Sequence, residues 1–453
     1  MPRLLFPIPR LTPAIILLSG VLVGAWTLQA DERLIGGPMV AWTEMREAAV
    51  WVQTRNPERL MLAYWPYGDS DRLRESRPVE SGPTPPYTAT LVADRVEPGQ
   101  TYEYAILVDG EPALLTYATR FATPPDYLDR TPPGEATFAL LSGHYVNEAP
   151  YDPPYTKPGA DPEPAARLLR SLDPDGCIWV GDTLYLRPAD VGSRSGLAAR
   201  YRHNRNQAGL TEILASRPHY AVWGLQDSGF AREGADYLLT EPAAQLFRAY
   251  WPARTPRPVS EGMGQTTRFR WWDAEFFLMD AVVARSTAER PREPQTVLGE
   301  HQVHWLLDAL ASSKARFKVV IMASPALNPV AEPPHWSFAE KEQRDFLEAL
   351  QELKVPGVLF VSSGIGYGEL TKTIRAQGYD LFDWTIGPMT GPVGQDNETL
   401  NYFREPGSAT FERHLGTLSL GGPENDRTLT LRTYLTDGTL RWERILKAAD
   451  LGY

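Results

Sequence analysis

The sequence predicts a two-domain protein: an all-β sandwich over residues 31–123, then a layered α/β domain over residues 136–453, joined by a proline-rich linker at 124–135. Three observations carry this reading. The 453-residue chain exceeds one ordinary domain and is long enough to bury a large core. Its first third holds only short β-type runs divided by turn residues. Beyond the linker, short apolar strands alternate with helical patterns, the signature of layered α/β architecture.

Residues 1–30 place Arg3 and Arg10 ahead of an uncharged run, Leu11 to Ala30, whose apolar centre is Ala14 to Ala25. This pattern predicts an export signal, with Ala30 at a small-residue cleavage position, and hence a periplasmic or extracellular protein. The alternative is an uncleaved anchor, because about 20 uncharged residues also suffice to span a bilayer. Membrane attachment is expected only in that case. Lipidation next to this segment is excluded, since the single cysteine is Cys177.

In the sandwich, the expected strands are Met39 to Trp42, Ala48 to Gln53, Leu60 to Trp65, Tyr87 to Leu91, Tyr102 to Val108 and Tyr117 to Phe121. Pro98-Gly99-Gln100-Thr101-Tyr102-Glu103-Tyr104, followed by the Asp109-Gly110 hairpin signal, resembles a fibronectin type III domain. Such a sandwich more often spaces or packs against a catalytic domain than catalyses anything.

Past the linker prolines, strands are expected at Phe138 to Leu141, Cys177 to Val180, Tyr220 to Trp223, Phe276 to Met279, Lys318 to Met322 and Val358 to Val361. Cys177, inside an apolar strand, reads as a packed thiol. A helix over Gly299 to Ser312 sets Val303, Leu306, Leu307 and Leu310 on one side. Ser337-Phe338-Ala339-Glu340 reads as a capping box opening a helix whose apolar side holds Phe346, Leu347, Leu350 and Leu353. Thr428 to Tyr434 and Thr439 to Ile445 form a hairpin around Asp437-Gly438, and Pro150 to Pro164 reads as a surface loop.

Charge limits the partners. The net charge is −11, and becomes −13 once the two arginines of the first 30 residues are removed, which argues against a general affinity for nucleic acid or anionic lipid.

Ligands in open α/β sheets gather beyond the carboxyl ends of strands, so three strand ends have a claim to function. They read Trp179-Val180-Gly181-Asp182-Thr183-Leu184-Tyr185, Trp223-Gly224-Leu225-Gln226-Asp227 and Phe360-Val361-Ser362-Ser363-Gly364-Ile365-Gly366-Tyr367. Apolar run plus Gly-Asp is a pattern that aims a carboxylate into a cleft, and Tyr185 can reach the same place. Capping of the following turn explains the same aspartate equally well.

From about 137 to 447 the chain resembles the PhoD-like alkaline phosphatase family of metallophosphoesterases. The stretches that carry the resemblance include Tyr145-Val146-Asn147-Glu148, Trp179 to Asp190, Arg200-Tyr201-Arg202-His203, Phe276 to Asp280, Leu298 to Leu306, Ser313 to Lys318 and Gly357 to Phe360. The resemblance implies a metallophosphoesterase-like layered β-sandwich flanked by helices, and hydrolysis of phosphate esters by an iron and calcium pair. It also implies metal-ligand roles for Asp182, Tyr185 and Asp227. Elsewhere the pattern breaks: Leu141-Ser142-Gly143 stands where the family has Gly-Ser-Cys. Trp223 to Asp227 replaces Trp-Asp-Asp-His-Asp, and Ser363 to Tyr367 replaces Gly-Asp-Arg-His-His. Ala281-Val282 replaces an Asn-Arg pair.

A divalent ion wants roughly four to six N, O or S ligands, and glycine, leucine and isoleucine supply none. His144 is the one substitute ligand near the lost thiol, displaced by a residue that turns it to the other strand face. His301 and His304 share a helix face but read as surface groups, and His203, His219, His335 and His414 as structural ones. Asp190, Asp280 and Arg285 read as scaffold. The expectation is a catalytically degenerate phosphatase-like protein acting as an envelope binding or scaffolding component, with at most one weakly held metal ion. Its partner would be an envelope protein or a small anionic ligand, and Trp223, Gln226 and Tyr367 would line its cleft. The competing expectation is an active phosphomonoesterase or phosphodiesterase with a reorganised metal site.

Overall fold

A computed structural model of the chain describes residues 31–128, 130–152, 158–207, 209–229, 237–254, 264–286, 293–330, 334–394 and 401–452. The export or anchor segment at 1–30 lies outside the described residues. Among the described residues no helix is long and apolar enough to cross a membrane.

The N-terminal strands form two small sheets. Leu34–Thr43, Ala48–Thr54 and Thr88–Ala93 make one, and Arg59–Pro66 with Thr101–Val108 centres the other. Alternating residues such as Leu60, Leu62 and Tyr64 bury one face against Val50, Val52 and Leu91. The strand Ala48–Thr54 is buried on both faces, because its other face enters the core of the α/β domain. Met39, Trp42 and Trp51 belong to that larger core. Trp51 Nε1 donates to the Ala249 carbonyl at 2.6 Å, Gln53 Nε2 to the Tyr250 hydroxyl at 2.9 Å, and the Tyr104 hydroxyl to the Ala215 carbonyl at 2.8 Å.

The α/β domain stacks two six-stranded sheets. One runs in the order His219–Val222, Gly176–Val180, Ala136–Leu141, His414–Gly421, Thr428–Leu435 and Leu440–Lys447. The other runs Thr267–Trp271, Ala274–Leu278, Phe317–Met322, Val358–Ser362, Leu381–Thr385 and Glu369–Thr373. Aromatic rings fill the gap between them: Phe138 sits 4.9 Å from Phe276 and 5.8 Å from Phe269 by ring centroid, and Trp384 sits 5.5 Å from Trp442. Helices cover the outside. In Glu340–Glu352, Phe346 and Leu350 are fully buried at i, i+4 while Leu353 is exposed.

Two local expectations need correction. Ser337 caps nothing: its hydroxyl donates to the Asn328 and Val330 carbonyls, and Trp336–Ala339 forms a 3-10 turn before the helix. The helix opens at Glu340 with Ala339 in the N-cap position, so Ser337 lies a turn too early to accept its first N–H groups. The 150–164 stretch is loop only in part, since Pro164 is the second residue of the helix Glu163–Leu172, a position where its missing N–H costs nothing.

Candidate functional site

Register places the site. Ala136–Leu141, Gly176–Val180 and His219–Val222 are parallel neighbours, with Leu141 opposite Trp179 and Val180 opposite Val222. Their following loops therefore leave at one pole. Met322, Ser362 and Thr385, paired in sequence across the second sheet, end at the same pole.

Gly181 turns the chain with φ 81°, and a β-carbon there would stand 2.4 Å from that of Ala323. Asp182 follows, also left-handed at φ 51°. Its backbone carbonyl accepts from the His144 N–H at 2.9 Å and its Oδ1 from the Gln226 N–H at 3.2 Å. The carboxylate lies against the backbone of Gly224, where a β-carbon would meet Asp182 Oδ1 at 2.3 Å.

Asp227 sits in a single helical turn, Leu225–Ser228, and is wholly buried. Oδ2 accepts from the Gly224 N–H at 2.7 Å, closing that turn. Oδ1 accepts from the Thr183 hydroxyl at 2.6 Å and the Leu184 N–H at 3.0 Å, so one carboxylate ties two strand-end loops together. Burial and the neighbouring Asp182 charge raise its pKa to about 7 against these donors, and burial raises Asp182 to about 6.

Tyr185 is half-buried, with its ring 5.1 Å from that of Tyr145. Burial raises the pKa of its hydroxyl well above the ordinary value, and Asp182 and Asp227 raise it further. The structure thus brings Asp182, Tyr185 and Asp227 within mutual electrostatic reach.

His144 does not join them. Its Nδ1 meets the Thr390 hydroxyl at 3.2 Å, and the ring lines an interior cavity with Tyr201, Asn204 and Trp251 on which neither aspartate opens. Burial lowers its pKa to about 4, with the Arg205 and His203 charges adding to the effect. Trp223 has no exposed surface and packs on Phe247, so it lies behind the cleft and cannot line it. Gln226 and Tyr367 are half-buried, and Tyr367 packs 5.0 Å from Phe411. His301 and His304 are exposed.

A second polar cluster escaped the sequence reading. Fully buried Glu369 accepts from Asn328 at 2.7 Å and Asn401 at 2.9 Å through Oε1, and pairs with Arg404 through Oε2. Its members are scattered over more than 70 positions, and no local spacing announces them. Beside it, fully buried Asp383 accepts from the Ala326 and Leu327 N–H groups at 2.6 and 3.0 Å and from the Ser362 hydroxyl at 2.7 Å. Both carboxylates fasten loops to strand ends, as Asp227 does.

The donor set does not fit a metal pair. Two carboxylates and one phenol converge without an imidazole or thiolate, and Asp227 already serves three backbone and hydroxyl donors. Among the described residues, no group of three or more His, Cys, Asp and Glu side chains is placed to hold a metal ion.

Residues 31–126 match a family described as "Domain of unknown function (DUF7800)". No curated protein sequence matches the chain. Among solved structures, the chain is similar to PhoD, with TM-score 0.70 and 14% identity over 94% of this chain and 90% of that one. It is also similar to the purple acid phosphatase PPD1 from yellow lupin (Lupinus luteus) seeds, with TM-score 0.65 and 13% identity over 91% of this chain and 74% of the other. These likenesses show the fold: a phosphatase-type layered α/β architecture with its β-sandwich domain.

Proposed function

We propose that this chain is an exported, catalytically degenerate protein of phosphatase fold, acting in the cell envelope as a binding or scaffolding component. The observation that carries the reading is the use made of the surviving acids. Asp227 holds the loops of two strands, and Asp182 rests on Gly224 where a further acid would stand. A two-metal hydrolase needs its carboxylates directed at cations and at the water they activate. Here hydrogen bonding to the scaffold takes their place, and the half-buried Gln226 and Tyr367 supply polar edges for a partner protein or a small anion.

The test is metal analysis of the purified protein alongside hydrolysis of nitrophenyl phosphate and bis-nitrophenyl phosphate, for the wild type and Asp182→Ala. Metal well below one ion per molecule, with turnover no different from Asp182→Ala, supports the reading. Two tightly held ions and turnover abolished in Asp182→Ala would replace it with an active phosphoesterase. Export is tested separately, by the N-terminal sequence of protein recovered from the envelope, expected to begin at Asp31.

A further inference from the structure

Behind the Asp182 loop lies an interior cavity of about 20 Å³ whose lining residues are all buried. His144, Thr183 and Leu184 form one wall, and Tyr201 and Asn204 of the helix Arg194–Arg205, with Trp251, form the other. Four polar atoms of these lining residues have no hydrogen-bond partner among the described residues: His144 Nε2, the Tyr201 hydroxyl, Asn204 Oδ1 and Trp251 Nε1. Buried polar groups in folded proteins are nearly always matched, so four such atoms on one cavity point to a ligand.

Their chemistry identifies it. The Thr390 hydroxyl spends its hydrogen on the Tyr145 carbonyl at 3.0 Å, so it accepts from His144 Nδ1, and the neutral ring presents Nε2 as a bare acceptor. Asn204 uses its NH₂ group on the His144 carbonyl at 3.0 Å and the Thr183 carbonyl at 3.5 Å, which leaves Oδ1 as a second acceptor. The Trp251 indole N–H only donates, and the Tyr201 hydroxyl is free to donate. Two acceptors and two donors are the complement of a water molecule, and the space is sufficient for one. A cation is opposed by Arg205, which also lines the cavity, and an anion by the two acceptor lone pairs.

We propose that this cavity is an internal hydration site, in which one ordered water accepts from Tyr201 and Trp251 and donates to His144 and Asn204. The water joins the strand-end loop at His144 to the helix Arg194–Arg205 that backs it and to Trp251 at the end of the helix Thr240–Tyr250. The site stands whether or not the Asp182 cleft turns over a phosphate ester.

Tyr201→Phe tests it, because the ring keeps its stacking on Tyr250, with centroids 4.8 Å apart, and only the hydroxyl is lost. A bound water that loses a donor lowers Tm, by about 1–3 °C. An unchanged or higher Tm overturns the proposal, since deleting an unmatched hydroxyl from a dry cavity stabilises the fold. A high-resolution crystal structure of the wild type supplies the second measurement. Density within hydrogen-bond reach of at least three of the four atoms supports the water. No density, or an anomalous peak there after a bromide soak, overturns it.

Discussion

Gly224 and Asp182 depend on each other at the level of single atoms. A methyl group at 224 would sit 2.3 Å from Asp182 Oδ1 and 2.6 Å from its backbone nitrogen, closer than any real contact. Gly224→Ala is therefore expected to cost about 2–4 kcal/mol, read from chemical denaturation, because the close neighbours are buried and one is backbone. A cost below roughly 0.5 kcal/mol would show that Asp182 gives way freely.

Buried carboxylates also set a pH signature. Asp383 has its pKa raised to about 6, chiefly by burial, so the folded state holds its proton more tightly than the unfolded state with an ordinary value near 3.8. Its ionisation then weakens the fold as pH rises from about 4 to about 6. Asp383→Asn removes that dependence while keeping an acceptor for the Ala326 and Leu327 amides. The stability of the variant relative to wild type is expected to climb by roughly 2–3 kcal/mol over this interval and then level off. A difference that stays flat in pH-dependent denaturation curves would contradict the assignment.

At the scale of elements, Arg427 is the staple between the two sheets. It is buried, donates to both oxygens of Asp273 at 2.8 Å, and reaches the Pro133, Gly134 and Gly422 carbonyls. One guanidinium thus ties the start of Thr428–Leu435, the turn between Thr267–Trp271 and Ala274–Leu278, and the linker. Arg427→Met strands Asp273 as a buried charge without its main partner, and a loss of about 3–5 kcal/mol in denaturation experiments is expected. Arg427→Lys should recover only a minor part, since one ammonium cannot reproduce the fork.

The elements themselves were largely legible. Apolar runs such as Cys177-Ile178-Trp179-Val180 and Val358 to Val361 state their strand character outright, because strands buried on both faces need no polar alternation. What the carboxylates do was not legible. The resemblance gave Asp227 a ligand role, and its place three positions past Gly224 was the one local sign of the cap. Only the chain path shows that Thr183 and Leu184 arrive to occupy its other oxygen. Trp223 illustrates the same limit: a strand-end aromatic can turn to the cleft or to the core, and Phe247 decides for the core.

For the molecule as a whole, the β-sandwich is more than a spacer. Trp51 sends its indole N–H into the α/β domain, and the Arg205 guanidinium lies 4.8 Å from the Trp51 ring and 4.0 Å from that of Trp251. Because Met39, Trp42 and Trp51 share the larger core, the two domains are expected to unfold together. Calorimetry of the full chain should give one transition with matching calorimetric and van't Hoff enthalpies. Two resolved transitions would mean that the linker at 124–135 separates independent units.

The close fit at Gly224 also limits what else can stand there. Gly224→Asp would have to displace Asp182, whose Oδ1 and backbone nitrogen already hold the volume that the new β-carbon needs. Position 224 therefore admits a side chain only if the loop that carries Asp182 shifts with it.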